Sequence, residues 1–433
     1  MSDSGYVTRV RRNQGFSNLS AGYLFPEVAR RRKDFQERNP GVKVISLSVG
    51  NTTEPLSPAV AEGLRLGAEA LGTREGYSGY GDEQGLPELR EAIAKRLYRC
   101  RIESSEVFVS DGAKCDIARL QTLFGRGVSV AVQDPAYPVY VDGSVIAGAA
   151  GASSPDGKGY AGITYLPCSP ANDFFPDLGA ASGADLIYFC SPNNPTGACA
   201  SREQLERLVA FALERGSIIV YDAAYCEYIS DPALPRSIFE IEGARNVAIE
   251  VNSFSKPVGF TGVRLGWTVV PTELRFSDGT PVAKDWNRVM TTLFNGASNI
   301  AQRGGFAALT DTGLAEMRAS VAHYKGNAAI IRSCLGKLEI ESYGGTDAPY
   351  IWARFPAMSS WEAFEAVLES CAVVTTPGSG FGPSGESFLR FSAFGHREDV
   401  EEACSRLSLR LSLPLSIRLS SQLEGRLGAG KQT

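Results

Sequence analysis

The sequence predicts an α/β protein in which helices cover a mostly parallel β-sheet. Segments with the 3.6-residue periodicity of amphipathic helices alternate with short runs rich in Val, Ile and Tyr over most of the chain. Most of these runs end in a cluster of polar residues, as strands of an open α/β sheet do beside a ligand site. With 433 residues, the chain is long enough to form two domains.

Composition and charge argue against several classes of function. The formal net charge of −5 disfavours nucleic acid or an anionic membrane as the main partner. No apolar run approaches the roughly 20 residues that cross a bilayer. Because the chain has only two histidines and nine singly spaced cysteines, we expect reduced thiols and no metal site. The start, MSDSGYVTRVRRNQ, has no apolar signal-peptide core and is expected to be too short for a full transit peptide.

Start and stop signals delimit three helices. PEVARRRKDFQER begins at Pro26 and should stop before an Asn-Pro pair. SPAVAEGLRLGAEAL has Ser57 as its expected N-cap. Its expected apolar face comprises Val60, Leu64, Ala68 and Leu71. SREQLERLVAFALERG pairs Ser201 with Gln204 in a capping box and should end at its glycine.

Six short β-rich runs lie among the helices: EVFVSDG, VSVAVQDP, DLIYFCSPNNP, SIIVYDAAY, VAIEVNSFSK and RLGWTVVP. Polar clusters follow five of them, at residues 111–114, 134–137, 191–197, 222–225 and 253–256. Because ligands bind at the carboxyl ends of such strands, we expect the five clusters to line one pocket. Two glycine-rich segments, PGSGFGPSG and GRLGAGKQ, fit neither the dinucleotide fingerprint nor the P-loop. The pattern is lost after about residue 410, where we expect a peripheral tail.

The stretch NSFSKPVGFTGVRLGW places Lys256 beside the hydroxyls of Ser253 and Ser255 and eight residues before Arg264. A lysine at a strand end in apolar surroundings has a lowered pKa and can form a Schiff base. The common alternative is a surface lysine whose stem crosses apolar residues. Two hydroxyls and a guanidinium at this spacing suit a phosphate group. Together these features predict an aldehyde cofactor that carries a phosphate, pyridoxal 5′-phosphate.

Other strand-end residues suit the same cofactor. Its pyridine nitrogen needs a carboxylate, for which Asp222 is the candidate, although a strand-end Asp commonly caps a turn. Tyr225 and Asn194 are candidate donors to the ring oxygen, and Tyr137 can stack on the ring. The segment DGAK, at residues 111–114, should open a helix whose backbone N–H groups hold the phosphate.

A family resemblance covers residues 21 to 400, nearly the whole chain. SPNNPTG, YDAAY, SFSK and GVRLGW resemble the fold-type I pyridoxal-phosphate aminotransferases. EGYSGYGDEQG, VFVSDGAKCDIARLQ and FNGASNIAQ are more specific and resemble the LL-diaminopimelate aminotransferases of plants, algae, chlamydiae and some other bacteria. The resemblance implies a large cofactor-binding domain at residues 49–309, with a seven-stranded sheet. It also implies a smaller α+β domain built from residues 1–48 and 310–433.

The resemblance also implies a role for each matching residue. Lys256 would bond the cofactor and shuttle the proton, with Asp222 and Tyr225 as its catalytic partners. The implied cofactor-binding residues are Ala113, Lys114, Tyr137, Asn194, Asp222, Tyr225, Ser253, Ser255, Lys256 and Arg264. The implied substrate-binding residues are Tyr23, Tyr80, Glu83, Lys114, Asn194, Asn295 and Arg390. Among these, Tyr23, Tyr80 and Glu83 are expected from the partner subunit of a homodimer with shared active sites.

At Arg390 an alternative role is open, and at Asn51 the sequence departs from the family. Arg390 is expected to bind the substrate α-carboxylate, and the alternative is a strand arginine paired with a surface acid. Asn51 stands where the family usually has Asp, and nothing in the sequence indicates that Asn51 contacts the substrate.

The implied reaction is ping-pong transamination between LL-2,6-diaminopimelate and 2-oxoglutarate in lysine biosynthesis, giving tetrahydrodipicolinate, glutamate and water. A related aminotransferase that acts on lysine typically has Gln where Lys114 stands. An aromatic or aspartate aminotransferase would not explain the residues matched to the distal end of diaminopimelate, which are Tyr23, Tyr80, Glu83, Lys114 and Asn295. A cofactor-sensing regulator would need a DNA-binding segment. We expect a chloroplast stroma location for a plant or algal chain and the cytoplasm otherwise. The plant-like GYSGYGDEQG and SAFGHRE favour the plastid.

Overall fold

The computed structural model describes residues 7–19, 24–154 and 159–411. The helices are α1 Gln14–Asn18, α2 Leu24–Arg38, α3 Pro58–Leu71, α4 Pro87–Arg96, α5 Ala113–Phe124, α6 Val139–Ala147, α7 Arg202–Arg215, α8 Val282–Leu293, α9 Asn299–Ala308, α10 Asp311–Lys337, α11 Ser360–Cys371 and α12 Arg397–Leu411. The strands are β1 Ile45–Ser46, β2 Val107–Ser110, β3 Val130–Asp134, β4 Ile163–Pro167, β5 Leu186–Cys190, β6 Ile218–Asp222, β7 Ala248–Ser253, β8 Gly266–Val269, β9 Ser342–Gly344, β10 Tyr350–Arg354, β11 Val373–Val374, β12 Thr376–Pro377 and β13 Phe388–Ser392.

A seven-stranded sheet with the order β2-β8-β7-β6-β5-β3-β4 forms the centre of the fold. All neighbouring pairs from β4 to β7 are parallel, and β8 alone runs against the others. Most of its strands are buried along their whole length, as expected for a sheet that helices cover on both faces. The predicted α/β class with a mostly parallel seven-stranded sheet is therefore confirmed.

All six predicted β-rich runs contain a strand of this sheet, and β4 was not among them. The helix predicted from Pro26 begins two residues earlier, at Leu24. The capping box of Ser201 and Gln204 is present at the start of α7, and Gly216 caps its end with a φ of 72°.

Helix α3 differs from its prediction in two ways. Ser57 occupies the N-cap, but its side chain makes no capping hydrogen bond. Ala68 is exposed, whereas Gly67 is buried against α9. A Cβ at Gly63 would lie 2.6 Å from the Ala307 side chain, so glycine allows the two helices to approach closely. The predicted apolar face was wrong at Ala68. The buried position is the neighbouring glycine, Gly67, and a glycine in a helix contact has no side chain that the apolar pattern could reveal.

A second group of strands and helices combines segments from both ends of the described chain. Strands β12, β13, β10 and β9 form an antiparallel sheet, and β1 pairs with β11. One hydrophobic core cluster contains residues from 24–47 together with residues from 328–407. The remaining large clusters lie between residues 60 and 317. The exact domain limits, 1–48 with 310–433 and 49–309, stay a prediction.

Three further features bear on function. All nine cysteines lie in the described residues, and each is a free thiol. No described helix combines the length and the apolar character that a membrane crossing requires. Within residues 7–19, 24–154 and 159–411, no three side chains of His, Cys, Asp or Glu are grouped so that they could hold a metal ion.

A buried carboxyl group anchors β7, the strand that leads to Lys256. Glu250 has no solvent exposure, and it accepts hydrogen bonds from the Tyr98 hydroxyl at 2.7 Å, the Ser237 hydroxyl at 2.6 Å and the Ile238 N–H at 3.0 Å. Trp267 on β8 in turn donates to the Tyr98 hydroxyl at 2.9 Å. Burial raises the pKa of Glu250 to about 7.

The raised pKa of Glu250 predicts a pH-dependent contribution to stability. Between pH 4.5 and 7 the folded chain binds this proton more tightly than the unfolded chain, so stability falls as pH rises. We expect Glu250→Gln to remove about 2 kcal/mol of the change between pH 5 and pH 8. The measurement is the difference in apparent melting temperature at the two pH values, compared with wild type.

The matched control is Glu91→Gln, which changes an exposed carboxyl group on α4. If both variants show the same pH dependence as wild type, the account of Glu250 is wrong.

Candidate active site

A cavity of about 610 Å³ lies at the edge of the seven-stranded sheet where the parallel strands end. Residues from all five predicted polar clusters line it, so the expectation of one shared pocket is confirmed. The predicted site residues that line the cavity are Ala113, Lys114, Tyr137, Asn194, Asp222, Tyr225, Ser253, Ser255, Lys256, Arg264 and Arg390.

A cluster of one guanidinium and two hydroxyls forms where β7 ends and β8 begins. These strands are antiparallel neighbours with Ser253 opposite Gly266, and the connection between them brings Arg264 back to the hydroxyls. Arg264 has a φ of 69°, and its Nη1 donates to the Ser255 hydroxyl oxygen at 3.0 Å. A Cβ at Gly112, just before α5, would lie 2.5 Å from Arg264 Nη2. The guanidinium, the hydroxyls and the start of α5 therefore converge, as phosphate binding requires.

The amine of Lys256 is partly buried in the cavity. Its Nζ donates a hydrogen bond to the Gly50 carbonyl and lies 5.7 Å from the centre of the Phe394 ring. Burial, with smaller effects from the positive charges of Arg390 and Arg264, lowers the Lys256 pKa to about 8. About a tenth of the amine is thus neutral and nucleophilic at pH 7. Because Lys256 lines the cavity, the surface-lysine alternative is wrong.

Asp222 is buried at the end of β6 and faces the cavity. Its Oδ2 accepts a hydrogen bond from the Tyr140 hydroxyl at 2.7 Å, and its Oδ1 accepts one from the Ala224 N–H at 3.0 Å. Burial raises the Asp222 pKa, an effect that these two donors oppose. The carboxylate thus caps a turn and also faces the cavity, and its pairing with a cofactor ring nitrogen stays a prediction. Tyr140 was not predicted, although it lies three residues after Tyr137.

Arg390 is 1% exposed and lies on β13. Its Nη1 donates to Asn194 Oδ1 and its Nη2 to the Ser48 carbonyl, both at 2.6 Å. The Tyr350 and Phe381 rings lie 4.3 and 4.8 Å from its Cζ. Its buried Nε has no hydrogen-bond partner among the described residues, and no described carboxylate lies within 4 Å. The alternative that Arg390 pairs with a surface acid is therefore wrong, and only two of the five N–H donors of its guanidinium have partners among the described residues.

Aromatic side chains complete the cavity wall. The hydroxyls of Tyr225 and Tyr350 are 2.9 Å apart, and sequence reasoning did not identify Tyr350. A Cβ at Gly50 would lie 2.1 Å from the Tyr350 hydroxyl, so this close approach requires glycine. The Tyr137 ring meets the Tyr140 ring edge to face at 6.0 Å, and Lys114 Nζ lies 5.9 Å from the Tyr137 ring centre.

Three of the predicted residues that the structure describes do not line this cavity. Tyr23 lies outside the described residues. Tyr80 is 87% exposed and Glu83 is exposed, as residues expected to serve a partner subunit would be. Asn295 is also exposed and does not line the pocket of its own chain, contrary to its expected place there. A Cβ on the next residue, Gly296, would lie 3.6 Å from Glu83 Cα, so Asn295 belongs to the same surface as Glu83. Asn51 is exposed and does not line the cavity either.

Comparisons with known proteins agree with this geometry. Residues 42–407 match the family model described as "Aminotransferase class I and II". A chloroplastic LL-diaminopimelate aminotransferase of Arabidopsis thaliana is 57% identical over 93% of this chain and 87% of its own length. An LL-diaminopimelate aminotransferase of Protochlamydia amoebophila is 51% identical over 92% and 97%. The solved structure of the L,L-diaminopimelate aminotransferase from Chlamydomonas reinhardtii has a TM-score of 0.90 and 56% identity, covering 93% of this chain and 99% of that chain.

The lowered pKa of Lys256 can be tested by its rate of acylation with acetic anhydride, followed by mass spectrometry in protein stripped of bound small molecules. We expect half-maximal reactivity near pH 8, against about 10.4 for a lysine in a peptide. Arg390→Gln should move this midpoint upward without restoring the peptide value, because it removes one neighbouring charge while the burial remains.

The matched control is Arg354→Gln, which changes an exposed arginine on β10. A midpoint equal to that of the peptide, or one that moves equally in both variants, would refute the desolvated lysine.

Proposed function

The chain belongs to the aminotransferase class I and II family, and from that premise we propose that it transfers an amino group from LL-2,6-diaminopimelate to 2-oxoglutarate. The products are tetrahydrodipicolinate, glutamate and water, and the proposed physiological role is lysine biosynthesis. Members of this family generally use pyridoxal 5′-phosphate, and we extend that cofactor to this chain.

One observation carries the proposal: a partly neutral amine, a buried arginine that has no acidic partner among the described residues, and a cluster suited to a phosphate share one cavity. Lys256 supplies the amine, Arg390 is the buried arginine, and Arg264 belongs to the cluster. A carboxylate at the same edge, Asp222, suits a protonated pyridine nitrogen. The residues present therefore fit an aldehyde that carries a ring nitrogen and a phosphate.

The residues of the chain have distinct tasks in this proposal. When bound, the cofactor supplies an electron sink for the carbon that loses its proton. The Lys256 amine would take the proton from the substrate Cα and return it to the cofactor, and a pKa near 8 suits this proton transfer. Asp222 would hold the proton on the ring nitrogen, and this pairing would reverse the effect of burial on its pKa. Tyr225 and Asn194 would bond the ring oxygen.

Further residues would hold the cofactor in place. Its phosphate would be bound by Ser253, Ser255, Arg264 and the backbone of Ala113 and Lys114. Tyr137 would stack on the ring.

The two ends of the substrate require different partners. Arg390 would bind the α-carboxylate with two parallel hydrogen bonds, helped by Asn194. At the distal end, diaminopimelate carries an ammonium and a carboxylate, whereas 2-oxoglutarate carries only a carboxylate. Lys114, which lines the cavity, is the proposed partner of the distal carboxylate.

A second copy of the chain is the proposed source of the remaining distal-end residues. Tyr80 and Tyr77 are 87% and 69% exposed, which is unusual for large aromatic side chains and suits a subunit interface. Because Asn295 shares its surface with Glu83, we assign Asn295 to the partner's site as well, together with Tyr23. For the compartment we propose the chloroplast stroma for a plant or algal chain, because the Arabidopsis thaliana relative is named as chloroplastic, and the cytoplasm otherwise.

A panel of amino donors assayed with 2-oxoglutarate tests the proposed substrate. We expect turnover with LL-diaminopimelate and at most a trace with the meso isomer, lysine, aspartate or aromatic amino acids. A distal group of the wrong configuration, charge or shape cannot satisfy a site built for an ammonium and a carboxylate. Coupled detection of glutamate gives kcat/KM for each donor.

The control is Lys256→Ala, which should fold normally, lose turnover and lose the absorbance of the lysine-bound cofactor. Retained turnover would remove Lys256 from the mechanism, and a preference for lysine or an aromatic donor would overturn the substrate.

Lys114 offers a second test. Lys114→Gln should raise KM for LL-diaminopimelate and for 2-oxoglutarate roughly ten- to a hundredfold, because a charged hydrogen bond to the distal carboxylate is lost. The trace turnover with lysine, measured at high enzyme concentration and saturating 2-oxoglutarate, should not fall, because lysine has no distal carboxylate. Steady-state kinetics with each substrate give the comparison.

The exposed Lys284→Gln on α8 serves as the charge-matched control. An equal loss for lysine and LL-diaminopimelate would contradict the assignment of Lys114 to the distal end.

A further inference from the structure

Two features of the sequence are left without a role by the proposed function: the acid of the DPAY cluster, Asp134, and the glycine-rich loop, defined here as Gly378–Gly385. Asp134 is the last residue of β3 in the seven-stranded sheet and is 2% exposed. The glycine-rich loop lies between β12 and β13, and β13 carries Arg390. In the structure these two features meet.

Direct hydrogen bonds join Asp134 to the loop. The Ser384 N–H lies 3.1 and 3.0 Å from Asp134 Oδ1 and Oδ2, and the Ser384 hydroxyl donates to Oδ2 at 2.7 Å. Close by, the Ala136 N–H donates to the Phe381 carbonyl at 2.8 Å. Burial raises the Asp134 pKa to about 6, so the group is mostly ionised at neutral pH and these hydrogen bonds are charge-assisted.

The loop backbone is shaped for this contact. Gly382 has a φ of 134°, a conformation that side-chain-bearing residues rarely adopt. A Cβ on Gly382 would lie 2.2 Å from Asp134 Oδ1, so the carboxylate occupies the space that only a glycine leaves open. Gly382, in the segment that does not fit a nucleotide-binding motif, is thus explained by its contact with Asp134.

The contact between Asp134 and the glycine-rich loop also determines where Phe381 lies relative to Arg390. Phe381, in the middle of the loop, lies 4.8 Å from the Arg390 Cζ and meets the ring of Phe25 edge to face at 6.4 Å. Both Arg390 and Phe25 line the cavity. Because the loop leads into β13, any shift of the loop away from Asp134 moves Phe381 off the guanidinium and loosens the strand that carries it.

We propose that Asp134 is a positioning residue: it holds the glycine-rich loop against the end of β3, places Phe381 beside Arg390 and so orients the guanidinium for the substrate α-carboxylate. The inference rests on the role of Arg390 in the proposed function. Asp134 acts through the loop and does not itself line the cavity.

The test uses the cofactor-loaded enzyme and the variant Ser384→Ala. We expect KM for LL-diaminopimelate and 2-oxoglutarate, and Kd for the unreactive dicarboxylate glutarate, to rise roughly five- to tenfold. The kcat should change less than twofold, and the cofactor absorbance should stay that of wild type. Asp134→Asn keeps the shape of the side chain but removes its charge, and should give a larger rise in the same constants. Glutarate binding is read from the change in cofactor absorbance.

Two further variants make the comparison specific. Ser379→Ala removes another hydroxyl of the same loop, one that is hydrogen-bonded to the Ser360 hydroxyl and not to Asp134 on β3. This variant should leave KM and Kd within twofold of wild type. Ser384→Thr keeps a hydroxyl at the contact and should restore wild-type values.

The outcomes separate the hypotheses. If Ser384→Ala matches Ser379→Ala in KM and Kd, the positioning role is wrong. It is equally wrong if Ser384→Ala lowers only the melting temperature or the cofactor content, which would make the contact a structural tether. If wild type rejects LL-diaminopimelate, the proposed function fails, whereas glutarate binding still tests the positioning role of Asp134.

Discussion

An excess of positive charge in a partly buried cavity is the constraint on which the site depends. Among the described residues, the charged side chains that line it are Lys114, Lys256, Arg264, Arg390 and one acid, Asp222. Burying a charge is unfavourable: burial lowers the pKa of both Lys256 and Arg390, and for Lys256 the nearby positive charges of Arg390 and Arg264 lower it further. Backbone carbonyls, the Asn194 side chain and a serine hydroxyl solvate these cations only in part. A phosphate and a dicarboxylate substrate would balance the positive charge, which favours anionic ligands over uncharged ones.

Local sequence was enough to predict the parts of the site that chain connectivity creates. Lys256 and Arg264 lie on one connection between adjacent strands, so their spacing in the sequence already brings them close in space. Asp222 and Tyr225 follow another buried run, and parallel pairing places that strand end at the same edge. The fold class followed equally well, because alternating helical and strand periodicities leave few other arrangements.

Contacts between distant segments could not be predicted in this way. Tyr225 and Tyr350 are 125 residues apart, and Asp134 and Ser384 are 250 apart. No periodicity links such pairs, so Tyr350 and the loop contact emerged only from the structure. Asn295 shows the reverse problem: the family resemblance marked it as a site residue, but the sequence alone could not say which subunit's pocket it serves.

A short backbone segment sets the distance between the two cations of the proposed chemistry. Lys256 follows the seven-stranded sheet and Arg390 lies in the four-stranded sheet, yet they donate to carbonyls only two residues apart, those of Gly50 and Ser48. This segment is held in turn by the hydrogen bond from the Ser392 N–H to the Leu47 carbonyl. An amine that attacks and a guanidinium that orients must keep a fixed separation if one substrate is to reach both. Anchoring both cations to one segment provides that separation, although they come from different sheets.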